Sequence, residues 1–129
     1  MPSSQRPEPL IAVLTALRDK VMGVSESVIS TVDGLLVAAD TDAVHPESIA
    51  ALSAATFSLG RRMAEEAGAK GLRDVATRGV GCHVVVQAIN ERALLTVVGD
   101  DGLDLTALHR ELHSTIEELV RIFAYDVPA

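Results

Sequence analysis

The sequence is poor in cysteine and in aromatic residues, and each shortage excludes a class of protein. Its single cysteine, Cys82, has no partner for an internal disulfide, which favours the cytoplasm as the compartment. Aromatic residues make up only 2 % of the chain, so it offers almost no stacking platform for nucleic-acid bases. The core must therefore be built from Val, Leu, Ile and Ala.

Clusters of basic residues and long apolar runs are also missing. The 129 residues include 18 acidic and 11 basic ones, for a net charge of −7. Nucleic-acid binding needs clustered Lys and Arg, so we expect no nucleic-acid partner. The apolar runs are shorter than the roughly 18–20 residues of a membrane span, so we expect no membrane insertion. The first seven residues are polar, without the apolar core of a signal peptide.

Apolar residues form 48 % of the chain, and their spacing predicts one domain over residues 9–125. Residues 1–8 are predicted to be a disordered tail, and residues 126–129 a second short tail. The predicted elements are helices at residues 9–21, 46–67 and from Asp104 onward, and strands at 27–32, 35–39, 72–78, 80–89 and 93–98. Asp33-Gly34 predicts a two-residue type I′ hairpin turn. Short connections favour a mainly antiparallel sheet, so the fold class is an α+β sandwich of order αββαβββα.

The middle helix has two adjoining apolar arcs when its residues are placed at about 100° intervals. The arc predicted to pack on the sheet holds Ile49, Leu52, Thr56, Leu59, Gly60 and Met63. The second arc, predicted to meet a second copy in a dimer with Phe57 as anchor, holds Ala50, Ala54, Phe57, Arg61 and Ala64. The outward arc holds Ser58, Arg62, Glu65 and Glu66. A simpler alternative is that the alanines are surface helix formers without a binding role.

The segment 72–78 is charged, as is common at the edge of a sheet. It could pair with its own copy across the axis of such a dimer, which would hide two exposed edges at once. The predicted interface residues in this segment are Asp74, Val75, Ala76 and Thr77.

Three segments in this order carry a resemblance to a known family. They are Gly23-Val24 leading into the hairpin at residues 28–39, the helix segment at 54–60, and the strands around 84–86 and 94–98 before the last helix. Over residues 10–123 the chain resembles the Roadblock/LC7 family, including its bacterial MglB-like regulators of Ras-like GTPases. The resemblance implies a five-stranded antiparallel sheet, with the middle helix on one face and the terminal helices on the other. It also implies a dimer joined through the middle helices and the third strand.

The function that this resemblance implies is a non-enzymatic, homodimeric regulator of a small Ras-like GTPase, acting as activator or scaffold. Ser58, Arg62, Glu65 and Glu66 would then form the platform offered to the GTPase. The alternatives left open are a passive dimerisation scaffold for a signalling or motor assembly, and a PAS-like ligand-sensing domain.

Several motifs that could indicate an enzyme or a metal site are weak. The sequence has no G-x-x-x-x-G-K-[ST] phosphate-binding loop. His109 and His113 are four residues apart on the last helix, but a catalytic zinc needs three protein ligands in a cleft. Cys82 and His83 are adjacent in a strand and point to opposite faces, and Cys82 is expected to be a small buried residue. We therefore expect no catalytic residue, metal or cofactor, and we interpret Arg61 and Arg62 as solvated or interfacial rather than as arginine fingers.

Overall fold

The computed structural model describes residues 7–126, with side chains described to residue 124. The elements are α1 (Pro7–Lys20), β1 (Val24–Thr31), β2 (Leu36–Asp40), α2 (Pro46–Glu66), β3 (Asp74–Arg78), β4 (Cys82–Ala88), β5 (Ala93–Asp100) and α3 (Leu105–Asp126). The five strands form one antiparallel sheet in the order β2-β1-β5-β4-β3. The predicted fold class and element order are confirmed. Pro7 and Glu8, predicted to be in the tail, begin α1, and the rest of both predicted tails lies outside the described residues, apart from Asp126, which ends α3.

The larger part of the core lies between the sheet and the two terminal helices. α1 and α3 bury leucines at helical spacing, and these pack against alternate residues of the central strands. The fully buried leucines are Leu10, Leu14 and Leu17 of α1 and Leu108, Leu112 and Leu119 of α3. Asp104 caps α3, because its Oδ1 accepts a hydrogen bond from the Ala107 amide at 3.1 Å.

The opposite face of the sheet carries α2 and a smaller core. Phe57 packs there with Val86 and Leu94, and these three residues fill the space between helix and sheet. A buried hydrogen bond of 2.6 Å between the hydroxyls of Ser53 and Thr96 also links α2 to β5. Small residues and one aromatic ring thus hold this helix close to the sheet.

The β1–β2 hairpin does not contain the predicted type I′ turn. That turn needs positive φ at both central residues, but among the described residues only glycines have positive φ. Residues 32–35 connect the strands, Gly34 alone has left-handed backbone (φ 99°), and its N–H donates to the Thr31 carbonyl at 3.1 Å. The longer loop comes with a register irregularity between Ile29 and Ser30.

The β3–β4 connection is longer than the sequence predicts. β4 begins at Cys82, whereas the prediction began it at Val80, and Gly79, Val80 and Gly81 form the turn. The Gly79 N–H donates to the Cys82 carbonyl at 2.8 Å, and Gly81 takes a positive φ of 94°. Cys82 is exposed, so the expectation that it is buried is wrong: it sits at the start of the strand, beside this turn.

Candidate functional site

The orientation of α2 corrects the predicted dimer arc. Ala50 is 0 % exposed and Phe57 4 % exposed within a single chain, so neither can form an interface with a second copy. Phe57 packs on Val86 and Leu94 of the sheet, and Ala50, seven residues earlier, lies on the same side of the helix. The prediction placed Leu52, Leu59 and Met63 on the sheet, and for these three side chains it is wrong. Gly60, predicted on the same arc, does face the sheet, at β3. Ala54 and Ala64 are half-buried, at the margin of the helix–sheet contact.

Three large apolar side chains of α2 instead point to solvent. Leu52 and Leu59 are each 62 % exposed and Met63 is 72 % exposed. Their spacings of seven and four residues place them on one side of the helix, and we call them the α2 stripe. Aligned exposed apolar residues of this kind are typical of surfaces that bind another protein.

The α2 stripe lies on the β3 side of the helix. Gly60, three residues before Met63, faces β3 so closely that a Cβ there would lie 2.7 Å from Cγ2 of Val75. The other flank of the helix faces the β1–β2 loop, where a Cβ on Gly34 would lie 3.4 Å from Cα of Ala51. The stripe therefore borders the edge of the sheet that β3 forms.

β3 is the outermost strand on that side of the sheet built by the described residues. Ala76, Thr77 and Arg78 are exposed, whereas Asp74 and Val75 are half-buried. An edge strand presents backbone N–H and C=O groups that can pair with another strand. The α2 stripe and the outer edge of β3 together form the candidate interaction surface.

On the face of the sheet opposite α2, one side chain of β3 approaches α3. His109 Nε2 lies 3.6 Å from Asp74 Oδ2, across an open cleft of about 500 Å³. The cleft is lined by Leu72, Arg73, Asp74, Gln87, Ala88, His109 and His113. The described residues contain no group of three or more His, Cys, Asp or Glu side chains placed to hold a metal ion.

The residues predicted to form the GTPase platform are all exposed. Ser58, Arg62 and Glu65 recur at spacings of four and three residues, which aligns them on one side of the helix. Arg61 lies nearer the sheet, and its guanidinium carbon stands 5.4 Å from the centre of the Phe57 ring. Through this cation–π contact the Arg61 side chain packs over Phe57 at the margin of the small core.

The loop before α2 is held by a buried carboxylate of β1. Glu26 is 6 % exposed, and its Oε1 accepts the amide hydrogens of Asp42, Ala43 and Val44 at 2.6, 2.9 and 3.0 Å. Burial raises the pKa of Glu26, but the three amide hydrogen bonds together outweigh it, and the pKa is lowered from its ordinary value of 4.5. The charged Glu26 thereby fixes the entry into α2, where the N-cap His45 accepts the Ser48 amide at 3.4 Å.

No helix among the described residues combines the length and the apolar character that crossing a membrane requires.

Comparison with known protein families identifies the class to which this fold belongs. The family model described as Roadblock/LC7 domain matches residues 10–99. The chain therefore belongs to the Roadblock/LC7 family. No curated protein matches the sequence significantly.

Solved structures with the same fold include MglB proteins. Myxococcus xanthus MglB aligns with a TM-score of 0.85 and 18 % identity, covering 97 % of this chain and 95 % of that one. The gliding protein MglB from Thermus thermophilus aligns with a TM-score of 0.79 and 20 % identity, covering 92 % and 90 %. A Roadblock/LC7 domain from Streptomyces avermitilis aligns with a TM-score of 0.80 and 20 % identity, covering 85 % and 93 %. The fold of this chain is thus MglB-like over nearly its whole length.

Proposed function

We propose that the protein is a homodimeric, non-enzymatic regulator of a small Ras-like GTPase. Membership of the Roadblock/LC7 family supports this role, because the resemblance implies regulators and adaptors rather than catalysts. The likeness of the fold to MglB over 97 % of the chain adds to that support.

The observation that carries the proposal is the α2 stripe beside the outer edge of β3. Leu52, Leu59 and Met63 expose apolar surface that is costly in water, and β3 exposes backbone groups next to them. In a dimer of two copies about a two-fold axis, both features would be covered at once. Asp74, Val75, Ala76 and Thr77 remain in the proposed interface, whereas the stripe replaces Ala50 and Phe57.

The proposed platform would stay accessible in such a dimer. Ser58, Arg62 and Glu65 project from the side of α2 that faces neither the sheet nor β3, and Glu66 adjoins them. Two copies would place two platforms on the same face of the joined sheets. In the proposed mechanism, the dimer acts by favouring the GTPase conformation that positions the enzyme's own catalytic groups.

The test is binding of the purified protein to Ras-like GTPases loaded with GDP or with a non-hydrolysable GTP analogue, with hydrolysis measured in parallel. We expect binding that depends on the nucleotide, and we expect Arg62→Glu to weaken it at least roughly 10-fold by reversing a charge in the platform. Arg110→Glu, which reverses an exposed charge on α3, is the matched control and is expected to bind normally.

The result of this assay also separates regulation from passive scaffolding. Binding that ignores the nucleotide and leaves hydrolysis unchanged would contradict the regulatory role and favour the scaffold. The ligand-sensing alternative needs a cavity between α2 and the sheet, but Phe57 and the Ser53–Thr96 hydrogen bond occupy that layer. We therefore do not propose it.

A further inference from the structure

We infer that β3 pairs with the β3 strand of a second copy of this chain in one register, centred on Ala76. In this register Asp74 lies opposite Arg78 of the partner subunit, and Arg78 lies opposite the partner's Asp74. The inference rests on the dimer of the proposed function and adds what that dimer leaves open, namely its register and its preference for an identical partner.

The hydrogen bonding of β3 restricts the registers that are available. Gly79 pairs with Cys82, because its N–H donates to the Cys82 carbonyl at 2.8 Å. Hydrogen-bonded and non-hydrogen-bonded pairs alternate along an antiparallel ladder, so Arg78, Ala76 and Asp74 occupy non-hydrogen-bonded positions against β4. Their backbone N–H and C=O groups therefore point away from β4, toward the free edge. A second β3 strand must hydrogen-bond to these three residues.

Charge then distinguishes the registers that a two-fold axis permits. With Ala76 on the axis, all five residues of β3 find a partner, and both ends of the strand pair opposite charges. An axis at Asp74 would place two carboxylates opposite each other, and an axis at Arg78 two guanidinium groups. An axis at Val75 would place Asp74 opposite Ala76 of the partner subunit, and an axis at Thr77 would place Arg78 opposite it. Either axis would also reduce the number of β3 residues that pair. Only the centred register is complementary at both ends.

The side chains are placed so that these pairs can form. Asp74, Ala76 and Arg78 alternate onto one face of the sheet, and directly opposite residues of an antiparallel pair share a face. Ala76 and Arg78 are exposed, and the Asp74 side chain retains 27 % exposure beside His109. A paralogue that lacked either charge would leave the other opposite a neutral or a like-charged residue. The sequence Asp-Val-Ala-Thr-Arg is thus a self-complementary edge.

Charge reversal tests this register. We expect Asp74→Arg alone, or Arg78→Asp alone, to raise the dimer dissociation constant roughly 10-fold or more, because each places like charges opposite each other at both ends. We expect the double variant Asp74→Arg/Arg78→Asp to restore dimerisation, since it exchanges the two charges. An equimolar mixture of the two single variants should form mixed dimers in preference to either homodimer. Sedimentation velocity over a concentration series measures the constants, and native mass spectrometry measures the mixed species.

Matched controls separate this inference from the dimer itself. Glu91→Arg makes the same charge change in the β4–β5 turn, Arg73→Asp makes the opposite one beside β3, and His109→Ala removes only the contact with Asp74. All three should dimerise like the natural sequence. A natural sequence that stays monomeric would remove the dimer of the proposed function. A dimer that survives both single reversals unchanged, without preference for mixed species, would retain that dimer and overturn the register.

Discussion

Glu26 shows how one buried side chain holds the segment that leads into the candidate surface. Its carboxylate is the common acceptor for three consecutive amides in the loop between β2 and α2. Hydrogen bonds to a charged acceptor are stronger than neutral ones, and a buried amide left without a partner is costly. The start of α2 therefore depends on the charge of Glu26.

We expect Glu26→Gln to lower the free energy of unfolding by about 1–2 kcal/mol at pH 7, because glutamine keeps an acceptor oxygen but not its charge. Urea denaturation of both proteins measures the difference. Glu91→Gln, at an exposed turn, is the control and should be neutral.

The same pair of proteins should show a pH dependence of defined sign. The pKa of Glu26 is lower in the folded chain than its ordinary 4.5, so the folded state favours the charged form. The stabilisation is therefore fully present above about pH 4.5 and is lost as the pH falls through the lower, folded-state pKa. We expect the stability difference between natural protein and Glu26→Gln to shrink as the pH falls below 4.5. A constant difference from pH 7 to pH 3 would contradict this assignment.

Phe57 and Leu59 are two residues apart on α2 and should respond in opposite ways to truncation. Phe57→Ala empties the small core beneath α2, so we expect a loss of about 3–5 kcal/mol in the free energy of unfolding. Leu59→Ala removes a side chain that is 62 % exposed in the single chain, so we expect little loss in dilute solution, where monomers dominate. Thermal and urea unfolding at low protein concentration measure both. Equal losses in the two variants would contradict an orientation of α2 in which Phe57 faces the sheet and Leu59 faces solvent.

At the scale of elements, the sequence was sufficient for the order of helices and strands but not for the face that α2 presents to the sheet. Leucine spacing in α1 and α3 predicts their buried sides correctly, because one apolar stripe meets one sheet. In α2 two apolar arcs compete, and side-chain size wrongly favoured Leu52, Leu59 and Met63 for the sheet-facing side. Ser53, whose small hydroxyl side chain reaches Thr96 of β5, was the better signal for that side, and Gly60 was placed on it correctly.

The length of the β1–β2 loop is a second feature that the sequence did not determine. Asp33-Gly34 correctly marks the first hairpin, but the dipeptide does not determine whether the loop has two or four residues. That choice depends on how the strands register against β5, which is a tertiary property. The charged character of the segment correctly predicted that Asp74–Arg78 forms an edge strand, whereas its hydrogen-bonding pattern could be read only from its pairing with β4.

Gly60 lies where α2 contacts β3, and a substitution at this position tests how close that contact is. A Cβ at this position would meet Val75 at 2.7 Å and Leu72 at 3.2 Å, so Gly60→Ala forces the helix and the edge strand apart. Overpacking costs more than the roughly 1 kcal/mol that alanine gains as a helix former, and we expect a net loss of about 1 kcal/mol in the free energy of unfolding. Gly71→Ala is the control, because a Cβ there has open space. A stabilised Gly60→Ala variant would contradict the close contact.

At the scale of the whole molecule, the two faces of the sheet have different roles. The terminal helices supply most of the buried apolar surface and stabilise the single chain. The α2 face has a smaller core, and it carries the exposed α2 stripe and the residues of the proposed platform. Substitutions on the exposed part of α2 should therefore alter association without unfolding the chain.

Leu59→Glu is the substitution that tests the assembly most directly. Dimerisation would bury a carboxylate in the middle of the α2 stripe, which is far costlier than exposing it in a monomer. We expect a folded monomer at micromolar concentration, with unchanged far-UV circular dichroism, where the natural protein sediments as a dimer. Ser58→Glu introduces the same charge one residue earlier, on the platform side of α2, and should remain dimeric. If Leu59→Glu dimerises as tightly as Ser58→Glu, the stripe is not the contact between copies, and another surface must join them.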